Sequence, residues 1–189
     1  DAARRGCNVK QMKGAREDER TMSGADEDPT RIATHLLSLE GLCLDRREWK
    51  RWLDLFDEDV VYRIPAWRNE DEETSDPNTE VSLIYHDSRT GLEDRASRIE
   101  AGRSATTMPL PRTAHFVGNV VATRAGDGVI EAEASWNVHV YQPRTAKQSV
   151  HFGRYEVQLK KRGDVWRISR KTIHLQNDRV STVLDFYSV

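Results

Sequence analysis

The chain has 189 residues and a formal net charge of −2, with 37% hydrophobic and 32% charged residues. That length supports one domain with a real core, and the near-balanced charge gives no electrostatic case for nucleic acid or an acidic membrane as partner. No apolar run approaches the roughly 20 residues that span a bilayer and no apolar leader opens the chain, so a cytoplasmic protein is expected.

Residues 1–28 carry Arg, Lys, Asp, Glu and Gly with almost no large apolar side chain. Such a stretch buries too little surface to offset its ordering entropy, so a mobile tail is expected, with ordering on a partner subunit as the rival. The domain proper is expected over residues 29–189. Cys7 lies in the tail and Cys43 on an apolar helix face, which favours reduced thiols over a disulfide.

Asp28-Pro29 pairs a capping residue with proline at the first helical position. Ile32, Leu36, Leu39 and Cys43 then recur at helical spacing, with Leu37 and Leu44 widening the stripe. Asp45 reads as the cap of a second helix, whose Trp49, Trp52, Leu53 and Phe56 fall at i, i+3, i+4 and i+7. Core packing is the plain account of both stripes. Val60 to Ile64 reads as a strand stopped by Pro65. Residues 68–80 form an acidic loop whose spacing does not match that of a calcium loop with its central glycine and terminal glutamate, so a solvated surface loop is expected rather than a metal site. Val81 to Tyr85 is a short strand, and Ser88 can cap a third helix bearing Leu92, Ala96 and Ile99.

Beyond it the pattern is β. Thr113–Thr123, Val129–Tyr141, Ser149–Lys161 and Val165–Gln176 alternate as long antiparallel strands. Ala125-Gly126-Asp127-Gly128 and Arg162-Gly163-Asp164 suit hairpin turns, and Val183 to Tyr187 reads as a closing strand. In Ser149–Lys161 the apolar residues switch from even positions (Val150, Phe152) to odd ones (Tyr155, Val157, Leu159), which predicts a β-bulge beside Gly153. Three helices followed by a long bent sheet predict an α+β cone, with the helices on the concave side.

Metal chemistry finds little support in this pattern. A Rieske cluster needs Cys-x-His and Cys-x-x-His, and neither Cys7 nor Cys43 supplies the histidine. Of the six histidines only His86-Asp87 is locally suggestive of an iron triad, and adjacent residues of an extended chain point apart. His115, His139, His151 and His174 lie on four successive expected strands. If the cone housed a proton-transfer enzyme, Tyr62, His115, His139 and Asp59 would be its candidates. His115 would then share a face with Thr113, Val117, Asn119 and Val121. Arg89, Arg95, Arg98 and Arg103 flank the third helix, either as a solvated face or as partners for another chain's carboxylates.

Several segments, taken in order, carry a resemblance. They are the Trp49–Phe56 stretch, Tyr62-Arg63-Ile64-Pro65-Ala66-Trp67, Leu83-Ile84-Tyr85, Gly91-Leu92-Glu93-Asp94-Arg95 with Arg98-Ile99, Pro111-Arg112-Thr113 with His115 and Asn119, and Lys171 with Leu175. The series resembles the small (beta) subunit of bacterial aromatic-ring-hydroxylating dioxygenases, in the benzoate and anthranilate branch, from about Leu36 to the C-terminus.

The resemblance implies a cone fold of the nuclear-transport-factor and scytalone-dehydratase type. It implies a non-catalytic structural subunit in a hexamer of three large and three small chains, acting on an aromatic carboxylate with NADH and O2. The Rieske 2Fe-2S cluster, the mononuclear iron and the substrate pocket are expected in the large (alpha) subunit, fed by a reductase. No cofactor, metal or catalytic residue is expected in this chain. Trp67 follows a proline segment beside the acidic loop, an aromatic anchor with a polar rim. Trp67, Arg112, Phe186 and Tyr187 are therefore the residues expected at subunit contacts. The competing readings are a free-standing cone-fold dehydratase or isomerase and, behind it, a ligand-binding module without catalysis.

Overall fold

The computed structural model describes residues 28–102, 109–177, 179–180 and 184–189. The expected tail up to residue 27, Cys7, Arg103 and Val183 lie outside the described residues. Helix α1 (Pro29–Arg46) starts as its sequence demands: the Asp28 carboxylate accepts the Thr30 N–H at 3.0 Å. It ends at Arg47, whose left-handed backbone (φ 58°) turns its N–H back onto the Cys43 and Leu44 carbonyls. Ala33, Leu36, Leu37, Cys43 and Leu44 form its buried stripe, and burial pushes the Cys43 thiol up from its ordinary value.

The second helix is shorter than its periodicity predicts. Helix α2 (Trp49–Leu53) covers one turn, and Phe56 opens strand β1 (Phe56–Pro65). Phe56 pairs there with Ile168, and Val61 and Tyr62 continue the ladder, so sheet pairing wins over a short helix with no nucleus to spare. The aromatic contact survives the change: Phe56 stays edge-on to Trp52 at 5.0 Å. Asp45 does not cap α2. It lies in the last turn of α1, and Glu48 precedes α2 without a side-chain capping bond.

Strand β2 (Ser82–His86) and helix α3 (Arg89–Glu100) follow, then β3 (Arg112–Gly126), β4 (Val129–Gln142), β5 (Lys147–Arg162) and β6 (Val165–Leu175). Ser88 precedes α3 but makes no side-chain capping bond. Among the described residues the strands form one sheet in the order β2-β1-β6-β5-β4-β3, antiparallel except for β1 beside β6. Helix α1 lies on β3 and β4, and α3 on β1 and β2. The sheet thus has a covered face, which holds the core, and an open one. No helix among the described residues is long and apolar enough to cross a membrane.

The expected bulge beside Gly153 is absent. β4 and β5 pair without a slip from Gln142↔Lys147 to Val129↔Lys160. His151, Tyr155, Val157 and Leu159 are buried in one phase throughout, and Val150 and Phe152 stand exposed on the open face. The apparent phase switch is therefore apolar surface on the other side of an unbroken strand. A bulge occurs instead in β3 between Gly118 and Val121, where Asn119 takes a left-handed conformation (φ 51°). It turns Val121 outward and Ala122 inward, so Asn119 and Val121 do not share the His115 face.

The chain closes with a 3-10 turn, Phe186–Ser188, rather than a strand. Asp185 accepts the Phe186 N–H and also pairs with Arg95 at 3.0 Å, which ties the turn to α3. Phe186 stacks on Trp52 (4.4 Å, 12°) and meets Trp49 edge-on at 5.5 Å. Phe186 and Tyr187 are buried in the chain's own core, which leaves them no surface to offer a neighbour. The reason is hydrophobic: ring burial gains about 1.5–3 kcal/mol each, and three aromatic partners are already in place.

Candidate functional site

On the covered face, β6 brings Lys171 opposite Tyr62 of β1 and Val157 of β5. The Lys171 Nζ lies 2.8 and 2.7 Å from the two carboxylate oxygens of Glu40 on α1. It also sits 3.8 Å above the centre of the Tyr155 ring, which stacks on Trp136 at 5.2 Å. Burial lowers the Lys171 ammonium from its ordinary value, and the Glu40 charge opposes that shift. Tyr62 and Tyr155 are pushed well above the ordinary phenol value, first by burial and then by Glu40. The middle of the covered face is thus occupied by an ion pair and aromatic rings.

A second polar group ties α1 to β3. Asp45 accepts from the Thr113 hydroxyl at 2.8 Å and from the His115 backbone N–H at 3.0 Å, and its Oδ1 lies 2.6 Å from His115 Nδ1. Two residues on, Arg47 donates to the Leu110 and Pro111 carbonyls at 3.2 and 3.1 Å. Together they clamp the start of β3. Burial works to raise the Asp45 pKa, but the His115 and Thr113 hydrogen bonds outweigh it and leave the carboxyl below its ordinary 3.8. A lowered carboxylate pKa contributes stability above the unfolded value and loses it as pH falls through the folded one. Asp45→Asn is therefore expected to flatten the acid limb of a stability-against-pH curve below about pH 4, read by urea midpoints. An unchanged limb would show that the clamp does not titrate.

The proton-transfer candidates do not converge. Tyr62 and the His115 side chain are buried on the covered face, whereas His139 stands on the open face beside Phe116. Asp59 is exposed and lines a surface groove of about 430 Å³ with Asp57, Glu58, Arg89, Arg162 and Arg167. The four strand histidines divide between the faces: His115 and His151 inward, His139 and His174 outward. His86 packs on α3, where a Cβ at Gly91 would come 2.3 Å from its Nδ1. Among the described residues no group of three His, Cys, Asp or Glu is placed to hold a metal.

On the arginine-bearing helix, Arg89 pairs with Glu93 at 2.9 Å and Arg95 with Asp185, so both serve this chain's own fold. Arg98 is exposed. The acidic loop is bonded to itself. Arg63 reaches the Thr74 and Ser75 carbonyls, and the Glu80 carboxylate takes the Asp76 and Ser75 N–H groups and the Arg68 guanidinium, which hold its pKa at about 2. Beside this loop Trp67 is 38% exposed, with its indole N–H on the Leu175 carbonyl at 2.8 Å. Arg112 is exposed and lies 5.7 Å over the Tyr141 ring.

Sequence reasoning missed Glu40 and misplaced Asp45. Glu40 did carry a signal: it lies four residues after Leu36 and three before Cys43, a carboxylate inside the apolar stripe of α1. Lys171 likewise alternates in phase with Ser169 and Ile173 on the buried side of β6.

A family model described as ring hydroxylating beta subunit matches residues 40–182. The anthranilate 1,2-dioxygenase small subunit of Acinetobacter baylyi (strain ATCC 33305 / BD413 / ADP1) is 42% identical over 158 residues, which cover 84% of this chain and 95% of the relative. The crystal structure of the beta subunit of benzoate 1,2-dioxygenase from Burkholderia mallei ATCC 23344 superposes with a TM-score of 0.69 at 31% identity, over 83% of this chain and 95% of that one. A scytalone dehydratase-type structure from Novosphingobium aromaticivorans DSM 12444 shares the cone fold alone, with a TM-score of 0.61 at 13% identity over 82% and 91% of the two chains.

Proposed function

Because the chain belongs to the ring-hydroxylating beta subunits, we propose that it is the structural subunit of a terminal oxygenase acting on a benzoate- or anthranilate-like aromatic carboxylate. The observation that carries this reading is similarity along almost the whole length of a small subunit of that activity, 95% of the relative. In this reading three copies join three large subunits in a cytoplasmic hexamer. The large subunits hold the Rieske cluster and the mononuclear iron, and a reductase feeds them electrons from NADH. The chain itself contributes no catalytic group. The covered face supports that division of labour: where a cone enzyme keeps its pocket, this chain packs Glu40, Lys171, Tyr155 and Trp136 against one another. Trp67 and Arg112 keep their proposed place at subunit contacts, being exposed and held in position by Leu175 and Tyr141.

The test is co-expression with the adjacent large subunit, followed by native mass and iron analysis. The expected result is a co-eluting complex of three large and three small chains with all iron on the large one. A stable assembly of this chain that ignores the large subunit would overturn the reading.

One observation favours a second reading, a small cone-fold enzyme. The Asp45–His115 pair orients a buried imidazole whose Nε2 meets no hydrogen-bond partner among the described residues, and a carboxylate-oriented histidine is a general-base arrangement. Turnover of a hydroxylated or halogenated ring compound by the isolated chain, abolished in His115→Gln, would establish it.

A further inference from the structure

On the covered face, His115, Val138 and His151 lie opposite one another in one inward row across β3, β4 and β5. Ser149 stands in the row on one side of it and Trp136 in the row on the other. The Nε2 atoms of His115 and His151, the Trp136 Nε1 and the Ser149 Oγ are all buried, and none meets a hydrogen-bond partner among the described residues. The His115 side chain is 3% exposed and His151 1%. Each unsatisfied buried group costs about 1–3 kcal/mol. Four of them in three successive rows are a set that one bound molecule satisfies together.

The groups behind the two rings define what this set asks for. His115 Nδ1 lies 2.6 Å from Asp45 Oδ1, and the Asp45 carboxyl, held below its ordinary value by that contact, is ionised and only accepts. His151 Nδ1 lies 2.7 Å from the Ser188 carbonyl oxygen, which also only accepts. Each Nδ1 therefore carries the ring proton, and each Nε2 of the neutral ring presents a lone pair. The Trp136 indole donates, and the Ser149 hydroxyl does both. Hydroxyl groups answer all four, because each gives one hydrogen bond and takes others. A carboxylate does not: it brings no proton to either Nε2, and the buried Lys171 ammonium is already held by both oxygens of Glu40. Val138 is shorter than the imidazoles on either side, so the two rings stand above it as walls, and with the Trp136 indole it offers apolar contact to a ring.

We propose that the His115–Val138–His151 row is a binding site for a small neutral hydroxylated ring compound, a phenol or a diol, held through its hydroxyls by the two Nε2 atoms. This goes beyond the subunit reading, which gives this chain no ligand, and it requires no turnover.

The test uses the full-length chain with 15N-labelled histidine, catechol as probe and benzoate, which has no neutral hydroxyl, as control. Long-range 1H–15N spectra are expected to show His115 and His151 protonated at Nδ1. Their Nε2 signals are expected to move together and saturably with catechol and to ignore benzoate. His151→Gln is expected to weaken catechol binding about tenfold or more, the equivalent of one lost hydrogen bond. Val138→Leu is expected to abolish binding with an unchanged melting curve, because the added methylene enters the space the ligand uses. A lowered melting point in Val138→Leu would show the core closed over this row and overturn the site. So would a ring protonated at Nε2, a chain indifferent to catechol, an equal response to benzoate, or bound water alone at the Nε2 atoms. Assembly with the large subunit is read separately: a complex that forms while catechol fails sinks only this site, and catechol binding by a chain that ignores the large subunit sinks only the oxygenase reading.

Discussion

Replacing Lys171 with Met is expected to cost about 3–5 kcal/mol of folding stability, because it leaves the Glu40 carboxylate buried without a counter-charge. Both side chains of the pair are at most 3% exposed and no bulk water screens them. Glu40→Leu is expected to be costly for the mirror reason. The double variant Glu40→Leu/Lys171→Met is expected to recover most of the loss, because two apolar side chains of similar volume remove both desolvation penalties together. The coupling energy of this cycle, from urea denaturation followed by tryptophan emission, is the decisive quantity. Single-variant losses below about 1 kcal/mol, the range of exposed pairs, would show the pair to be solvated.

The same pair gives a signed pH dependence. Lys171 already sits below its ordinary 10.5 because of burial, with Glu40 working against the shift. In Glu40→Leu that opposition is gone and the folded-state value falls further. Between that value and 10.5 the unfolded chain then binds more protons than the folded one, so the variant's stability rises with pH across this window.

Strands β3 to β6 and helices α1 and α3 were legible because each is long and its burial is one-sided. Alternation and i, i+3, i+4 spacing survive there over ten residues or more. Phe56 was misread because its helical spacing from Trp52 is compatible with two structures. A ring at the end of one helical turn and a ring at the start of a strand can make the same contact with Trp52. The long-range pairing with Ile168 decides between them, and local periodicity holds no trace of it. The same limit explains the closing turn: Phe186 and Tyr187 look like strand residues, but Trp49 and Trp52, more than a hundred positions earlier, supply their packing.

The polar groups divide in the same way. His115 was visible as an inward histidine, but Asp45, its partner, looked like a capping residue because acids before a helix usually are. Only the docking of α1 on β3 brings the two together. Trp67 stood out as a tryptophan beside an acidic loop, and it is partly exposed there. The exposed apolar side chains of β5 were not legible, because Val150 and Phe152 imitated a change of phase that belongs to surface rather than to backbone.

Gly153→Ala is expected to cost about 3 kcal/mol or more and to loosen the joint between β5 and β6. A Cβ at this position would lie 1.8 Å from the His174 carbonyl oxygen, 3.0 Å from its carbon and 3.3 Å from the Trp136 Nε1. The first two contacts are backbone, so no side-chain rotation relieves them and one strand has to move. Gly118→Ala is the matched control, since a Cβ there meets nothing within 4 Å. It is expected to change the urea midpoint little. The displacement would not stay local. Leu175 pairs with Gly153 and its carbonyl holds the Trp67 indole, and Phe152 is the next residue on β5. Gly153→Ala should therefore weaken subunit association under conditions where the chain is still folded, measured by circular dichroism and sedimentation on the same sample. Equal effects of the two glycine variants would mean that β6 yields freely at His174. The glycine would then mark a tolerant position rather than a close approach between strands.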